Sequence, residues 1–145
     1  MDCGFEIAGA SNNTAWFESI GREPERPSRA RAVQAVRLEK ITHYIESNLD
    51  DPELAAPRCA KELGMSVRSL HMAFSGTDLT FGELVMQRRL EMCRHQLADW
   101  NRTESVAELA FAAGFNSLSS FYRAFRRTFA TCPRAMREGD MLAAQ

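Results

Sequence analysis

Between Gly114 and Phe129 the chain spaces its aromatic residues as a helix would and its arginines as a surface would. Phe121, Phe125 and Phe129 fall at i, i+4 and i+8, one apolar stripe. Tyr122, Arg123, Arg126 and Arg127 lie off that stripe and are expected to face outward. Gly114 precedes the helix, where a tight turn needs a residue free to adopt positive φ. Before it, Val106–Ala112 forms a short helical pattern. A short helix, a Gly turn and a basic amphipathic helix make a helix-turn-helix, whose second helix can enter a DNA major groove.

The pattern occurs twice. Ala60, Gly64, Leu70 and Phe74 correspond to Ala110, Gly114, Phe121 and Phe125. The offset is about 50 residues, growing by one within the second helix. One such match is weak, because helix-Gly-helix is common among helical proteins. Two copies at nearly constant offset are far more specific.

With these residues in view, the region from about Leu38 to Arg137 resembles the DNA-binding domain of the AraC/XylS (arabinose-regulator) family of bacterial transcription factors. The resemblance covers roughly 100 of the 145 residues. It rests on Ala60–Phe74, on Arg89-Leu90, and on Gly114-Phe115 through Phe121, Arg123, Phe125 and Arg126 to Phe129 and Pro133. It implies an all-α fold of about seven helices, with two helix-turn-helix modules joined by a long linker helix. It also implies a bacterial regulator, often an activator, that binds specific double-stranded DNA and has RNA polymerase as a further partner. The chain departs from the family pattern at Ala130, where Gly is usual, and at Met72, where Arg is frequent. The segment Ser75–Thr80 is one residue short.

The net charge of −1 argues superficially against nucleic acid, but its distribution reverses that impression. Residues 1–30 carry five acids (Asp2, Glu6, Glu18, Glu23, Glu25) against three Arg. From Glu108 to Arg137 there is one acid against five Arg. The local field, not the sum, governs approach to a phosphate backbone. Cys3, Cys59, Cys93 and Cys132 are far apart, without a C-x-x-C pair, and read as reduced thiols of a cytoplasmic protein. No metal or cofactor is expected. No apolar run is long enough for a membrane span. The N-terminus shows no basic segment followed by an apolar one, so no signal peptide is expected. Nothing suggests an enzyme: there is no Gly-rich phosphate loop, nucleophile elbow or metal spacing.

Residues 1–30 read as an arm, or the stub of an effector-binding domain, ending in a Pro- and charge-rich linker from Gly21 to Ser28. Residues 31–138 form the DNA-binding domain, and 139–145 a frayed tail. Inside the domain a helix is expected from about Arg29 to Leu49, then a first helix-turn-helix over about 54–75. Thr80 can cap a linker helix over about 81–100. The second helix-turn-helix spans about 105–129, capped by Thr103 or Ser105. A short helix opened by Pro133 runs through Arg137. Twenty linker residues make roughly 30 Å, close to the roughly 34–36 Å between successive major-groove faces.

Leu63, Leu70, Phe74, Leu109, Phe115, Phe121 and Phe125 are assigned to the core. The candidate DNA contacts are the polar side chains early in each recognition helix. In the first module these are Ser66, Arg68, Ser69, His71 and Met72. The family motif implies that Arg68, His71 and Met72 face bases; Arg68 could bind guanine bidentately, whereas Met72 cannot donate. In the second module they are Asn116, Ser117, Leu118, Ser119, Ser120, Tyr122 and Arg123. The motif implies that Leu118, Ser119, Tyr122 and Arg123 face bases or the groove wall. Arg126, Arg127 and Arg134 are assigned to phosphates. Arg88 and Arg89 read as solvated or paired with Glu91. The competing reading is a helical protein–protein adaptor whose arginine face meets an acidic partner. Steep salt dependence of duplex binding separates the two.

Overall fold

Capping chemistry sets most of the helix boundaries. The computed structural model describes residues 28–143, so the arm and most of the linker, residues 1–27, lie outside the described residues. The chain divides between Ala32 and Val33, and both modules lie in the second part. Among the described residues there are seven α-helices and no strand: α1 Arg29–Ser47, α2 Ala56–Glu62, α3 Val67–Ala73, α4 Phe81–Ala98, α5 Val106–Ala112, α6 Leu118–Phe129 and α7 Pro133–Ala143.

Ser66, Thr80, Ser105 and Ser117 stand in extended conformation before α3, α4, α5 and α6, and each side chain accepts a first-turn N–H. At α4 and α5 the cap is reciprocal: the Glu83 and Glu108 carboxylates accept from the Thr80 and Ser105 backbones. Of the two cap candidates before α5, Ser105 is the one used. α2 has no side-chain cap, since Ala55 precedes it, but Pro57 sits in its first turn, where a missing N–H costs nothing.

Both modules turn the same way. Met65 N–H donates to the Ala60 carbonyl (2.9 Å) and Gly64 N–H to the Lys61 carbonyl (3.2 Å). Phe115 and Gly114 donate to Ala110 (3.1 Å) and Phe111 (3.0 Å) in the same pattern. This is the paired closure of a helix C-terminus around a left-handed residue. Gly64 (φ +64°) and Gly114 (φ +90°) supply that conformation.

The apolar residues collect into two cores. Ile41, Ile45, Cys59, Ala60, Leu70, Ala73 and Phe74 pack with Phe81, Leu84 and Val85 from the first half of α4. Leu90, Cys93 and Leu97 from its second half pack with Leu109, Ala110, Ala113, Phe115, Phe121 and Phe125. Fully buried Phe121 and Phe125 each stabilise the fold by about 1.5–3 kcal/mol relative to exposure. The expected core residues are buried except Leu63, which packs half-buried at the edge. Burial pushes the Cys59 and Cys93 thiols up, to about 11 and about 12.

Four boundaries differ from expectation. α1 ends at Ser47, two residues before Leu49. α4 ends at Ala98, because Asp99 turns extended (ψ 101°) and its carboxylate accepts the Asn101 N–H at 3.1 Å. Its 18 residues therefore make about 27 Å. α3 stops at Ala73, before Ser75. α7 runs past Arg137 to Ala143, through a stretch ending in good helix formers.

Arg88 pairs with Glu91 as read from the sequence (3.2 Å), but Arg89 does not. Arg89 is buried, donating from Nε to the Leu49 carbonyl (3.0 Å) and from Nη2 to the Asp51 carbonyl (2.6 Å). Desolvation lowers its pKa, and the Asp51 charge works the other way. Gln34 on α1 makes a second long-range tie. Its amide reaches the Met72 carbonyl (2.6 Å) and the Ser75 carbonyl (2.8 Å), the open end of α3.

Candidate nucleic-acid interface

α6 buries Phe121 and Phe125 completely, which turns the opposite side of the helix outward. Ser119, Ser120, Tyr122, Arg123, Arg126 and Arg127 are all exposed. Among the described residues none of Arg68, Arg123, Arg126 and Arg127 is in an ion pair within 4.0 Å, whereas Arg58, Arg88, Arg102 and Arg134 each pair with a carboxylate. Long unpaired guanidinium groups on one helix face make a positive surface that phosphates or guanine edges can meet.

The arginines do not all point alike. Arg123 and Arg127, with Ser120, line a groove of about 520 Å³ against α4, across from Glu83 and Glu91. The Glu83 carboxyl is held below the ordinary glutamate range, first by the Thr80 N–H, then by the Thr80 hydroxyl, and least by the Arg127 charge. Arg126 is outside that groove. Arg94, on α4, stacks over the Phe129 ring at 5.4 Å.

The remaining candidates sort by position. Ser117 and Ser66 cap α6 and α3, so their hydroxyls already serve backbone N–H groups. Ser66 also donates to the Ser69 hydroxyl at 2.9 Å. Leu118 is half-buried and packs against the second core. Asn116 is exposed in the turn before α6. Arg134 lies on α7, outside the two recognition helices themselves, and pairs with Glu138 at 3.2 Å. On α3, Arg68, His71 and Met72 are exposed, and His71 lines a crevice with Phe81, Gly82 and Arg89 of α4.

Two residues that shape this surface were missed by sequence reasoning. Gln34 lies four residues before Leu38 and seven before Ile41, on the stripe that α1 buries. Arg89 lies between Val85 and Cys93 on the buried stripe of α4. A polar residue inside an apolar stripe signals a buried partner, and the partners here are backbone carbonyls brought from distant segments.

Comparison with known proteins agrees with this geometry. Residues 59–139, more than half of the chain, match the family model described as "Helix-turn-helix domain". The transcriptional activator NphR of Rhodococcus sp is 35% identical over 101 residues, covering 70% of this chain and 30% of that protein. The HTH-type transcriptional activator RhaS of Klebsiella pneumoniae (strain 342) is 32% identical over 104 residues, 71% of this chain and 36% of its own. The chain thus spans about a third of the length of these relatives. The crystal structure of a transcriptional regulator (AraC-type DNA-binding domain-containing proteins) from Chromobacterium violaceum shares the fold. Its TM-score is 0.67 at 24% identity, over 75% of this chain and 96% of that one. These relatives favour the regulator over the adaptor. Among the described residues no helix is long and apolar enough to cross a membrane.

Proposed function

The chain belongs to the AraC/XylS family of helix-turn-helix transcription regulators, not a family of enzymes, and on that premise we propose how this domain meets its operator. Residues 31–138 bind a specific double-stranded DNA site, with α3 and α6 in successive major grooves on one side of the duplex. Arg68 and Arg123 read base edges; Arg126, Arg127 and Arg134 meet phosphates. The bound domain acts as a cytoplasmic activator that contacts RNA polymerase, and residues 1–30 serve as an arm or as the stub of an effector-binding domain with its linker. The observation that carries this reading is the unpaired arginine face of α6, capped by Ser117 and backed by two fully buried phenylalanines.

Counterion release supplies the test. The slope of log K against log salt is about −0.9 per phosphate neutralised, so four or five contacts give about −4. Duplex affinity measured over a salt series should fall with that steepness. Absence of binding to a pool of random duplexes at low salt, or a flat slope, would sink the reading.

A further inference from the structure

We propose that the first module reads a C5-methyl group of a pyrimidine through Met72, beside its single arginine, whereas the second module reads its half of the operator through arginines. The inference rests on the duplex-binding reading above and deepens it. At the offset of 51 that relates the recognition helices, Met72 stands where α6 has Arg123, Ser75 where it has Arg126, and Gly76 where it has Arg127. α3 thus lacks all three arginines of its counterpart; its one arginine, Arg68, stands where α6 has Ser119.

What replaces Arg123 is apolar. Met72 is 56% exposed, one helical turn beyond Arg68 on the outer face of α3. His71, its neighbour, lines the crevice against α4. The backbone beneath Met72 is held still, because Gln34 reaches the Met72 and Ser75 carbonyls from α1. A fixed backbone carrying an unbranched, polarizable side chain suits a small apolar target. In the major groove that target is the C5-methyl of thymine, the apolar group on the base edges there. Arg68, a turn away, places a guanine within a base pair or two of it. Apolar contact releases no counterions, so this half of the site adds little to the salt slope, and α6 carries most of it.

The test removes the methyl and nothing else. Sites are selected from random duplexes with the full chain, and each thymidine is then replaced singly by deoxyuridine, which keeps every hydrogen-bonding group. One or two positions should weaken binding about fourfold, the worth of one buried methyl-sized group. The factor should be the same at low and moderate salt. In Met72→Ala the normal duplex should lose a similar factor, and deoxyuridine should cost nothing further. Met72→Gln, of similar length but polar, should behave likewise; both variants should fold, since the side chain is exposed, and circular dichroism checks this. A 5-methylcytosine·guanine pair at the sensitive position should bind better than an unmodified one. Deoxyuridine harmless everywhere, or a penalty undiminished in both variants, overturns the inference alone. No duplex binding by the natural chain overturns the DNA reading with it.

Discussion

The first and second modules share a turn and differ in nearly everything that surrounds it. Ala60–Met65 and Ala110–Phe115 close with the same two hydrogen bonds around a left-handed glycine. Yet α2 begins without a side-chain cap, while α5 begins with a reciprocal one. α3 has 7 residues and its end is held by Gln34 from a distant helix; α6 has 12 and closes on its own Ala130, left-handed at φ +55°. α3 presents Arg68 and Met72, α6 three arginines that form no ion pair among the described residues. The second module is specified by its own residues to a greater degree, and the first leans on α1. A local code suffices for the turn; the length and charge of the helix that follows depend on what neighbouring segments supply.

The two glycines give the sharpest way to break this comparison. A Cβ at Gly64 would meet nothing within 4 Å among the described residues. At Gly114 it would collide with the Leu49 carbonyl oxygen and the Arg89 guanidinium, the same groups that Arg89 ties together. Gly64→Ala should therefore cost about 1–2 kcal/mol, the strain of a left-handed alanine. Gly114→Ala adds a clash with backbone and should cost about 3 kcal/mol or more. Denaturant unfolding measures both. Equal losses would mean that the Gly114 turn is not wedged against the end of α1.

The next contrast lies within α6. Arg123→Ala should cost about 1–3 kcal/mol of DNA binding and relax preference at one base pair. Arg126→Ala should weaken all sequences alike and flatten the salt slope by about one unit. Affinity across single-base operator variants at several salt concentrations resolves them. Indistinguishable profiles would refute the division between base and phosphate contacts.

A smaller effect tests whether the missing cap is what makes α2 the weaker start. Ala55 is already extended (φ −142°, ψ 154°), so a hydroxyl there can accept a first-turn N–H without rearrangement. Ala55→Ser should raise stability by about 1 kcal/mol, and Ser105→Ala should lower it by a similar amount. A stability gain of zero at Ala55, in thermal melts, would mean that Pro57 and the Arg58–Asp51 pair already serve that end.

Much of this was legible before any coordinates, and the residues say why. The stripe of Phe121 and Phe125, the repeated glycines and the caps at Thr80 and Ser105 act over three or four positions, and each landed where expected. The non-local ties did not show. Arg89 read as a surface charge, because its acceptors are carbonyls 38 and 40 positions away, and a carbonyl leaves no mark in sequence. Gln34 was hidden for the same reason. Helix ends moved where a side chain offered the backbone another partner, as Asp99 does beyond α4. Of the candidate contacts, the exposed faces of α3 and α6 were legible, whereas the engagement of Ser117 as a cap, and the half-burial of Leu118, follow from where α6 starts.

The least effect concerns acid, and it too separates the modules. The Glu108 carboxylate accepts the Ser105 N–H at 2.6 Å, and that bond chiefly holds its pKa below the ordinary 4.5. Glu83 is lowered likewise by Thr80 at the start of α4. A depressed folded-state value means the contribution is fully present above the unfolded-state value and fades as pH falls through the folded one. Neither α2 nor α3 has an acidic residue in its first turn, so acid removes reciprocal-cap support from α4 and α5 and none of that kind from the first module's own helices. Both carboxylates are exposed, so the loss should be modest. Glu108→Gln keeps the length of the side chain but cannot ionise, and should lose less melting temperature than the natural chain between about pH 5 and about pH 3. Glu83→Gln should do the same, and the double variant should flatten the acid limb further. Identical acid limbs in all four proteins would show that the reciprocal caps carry no pH-dependent stability, and that the better start of the second module rests on the Ser105 hydroxyl alone.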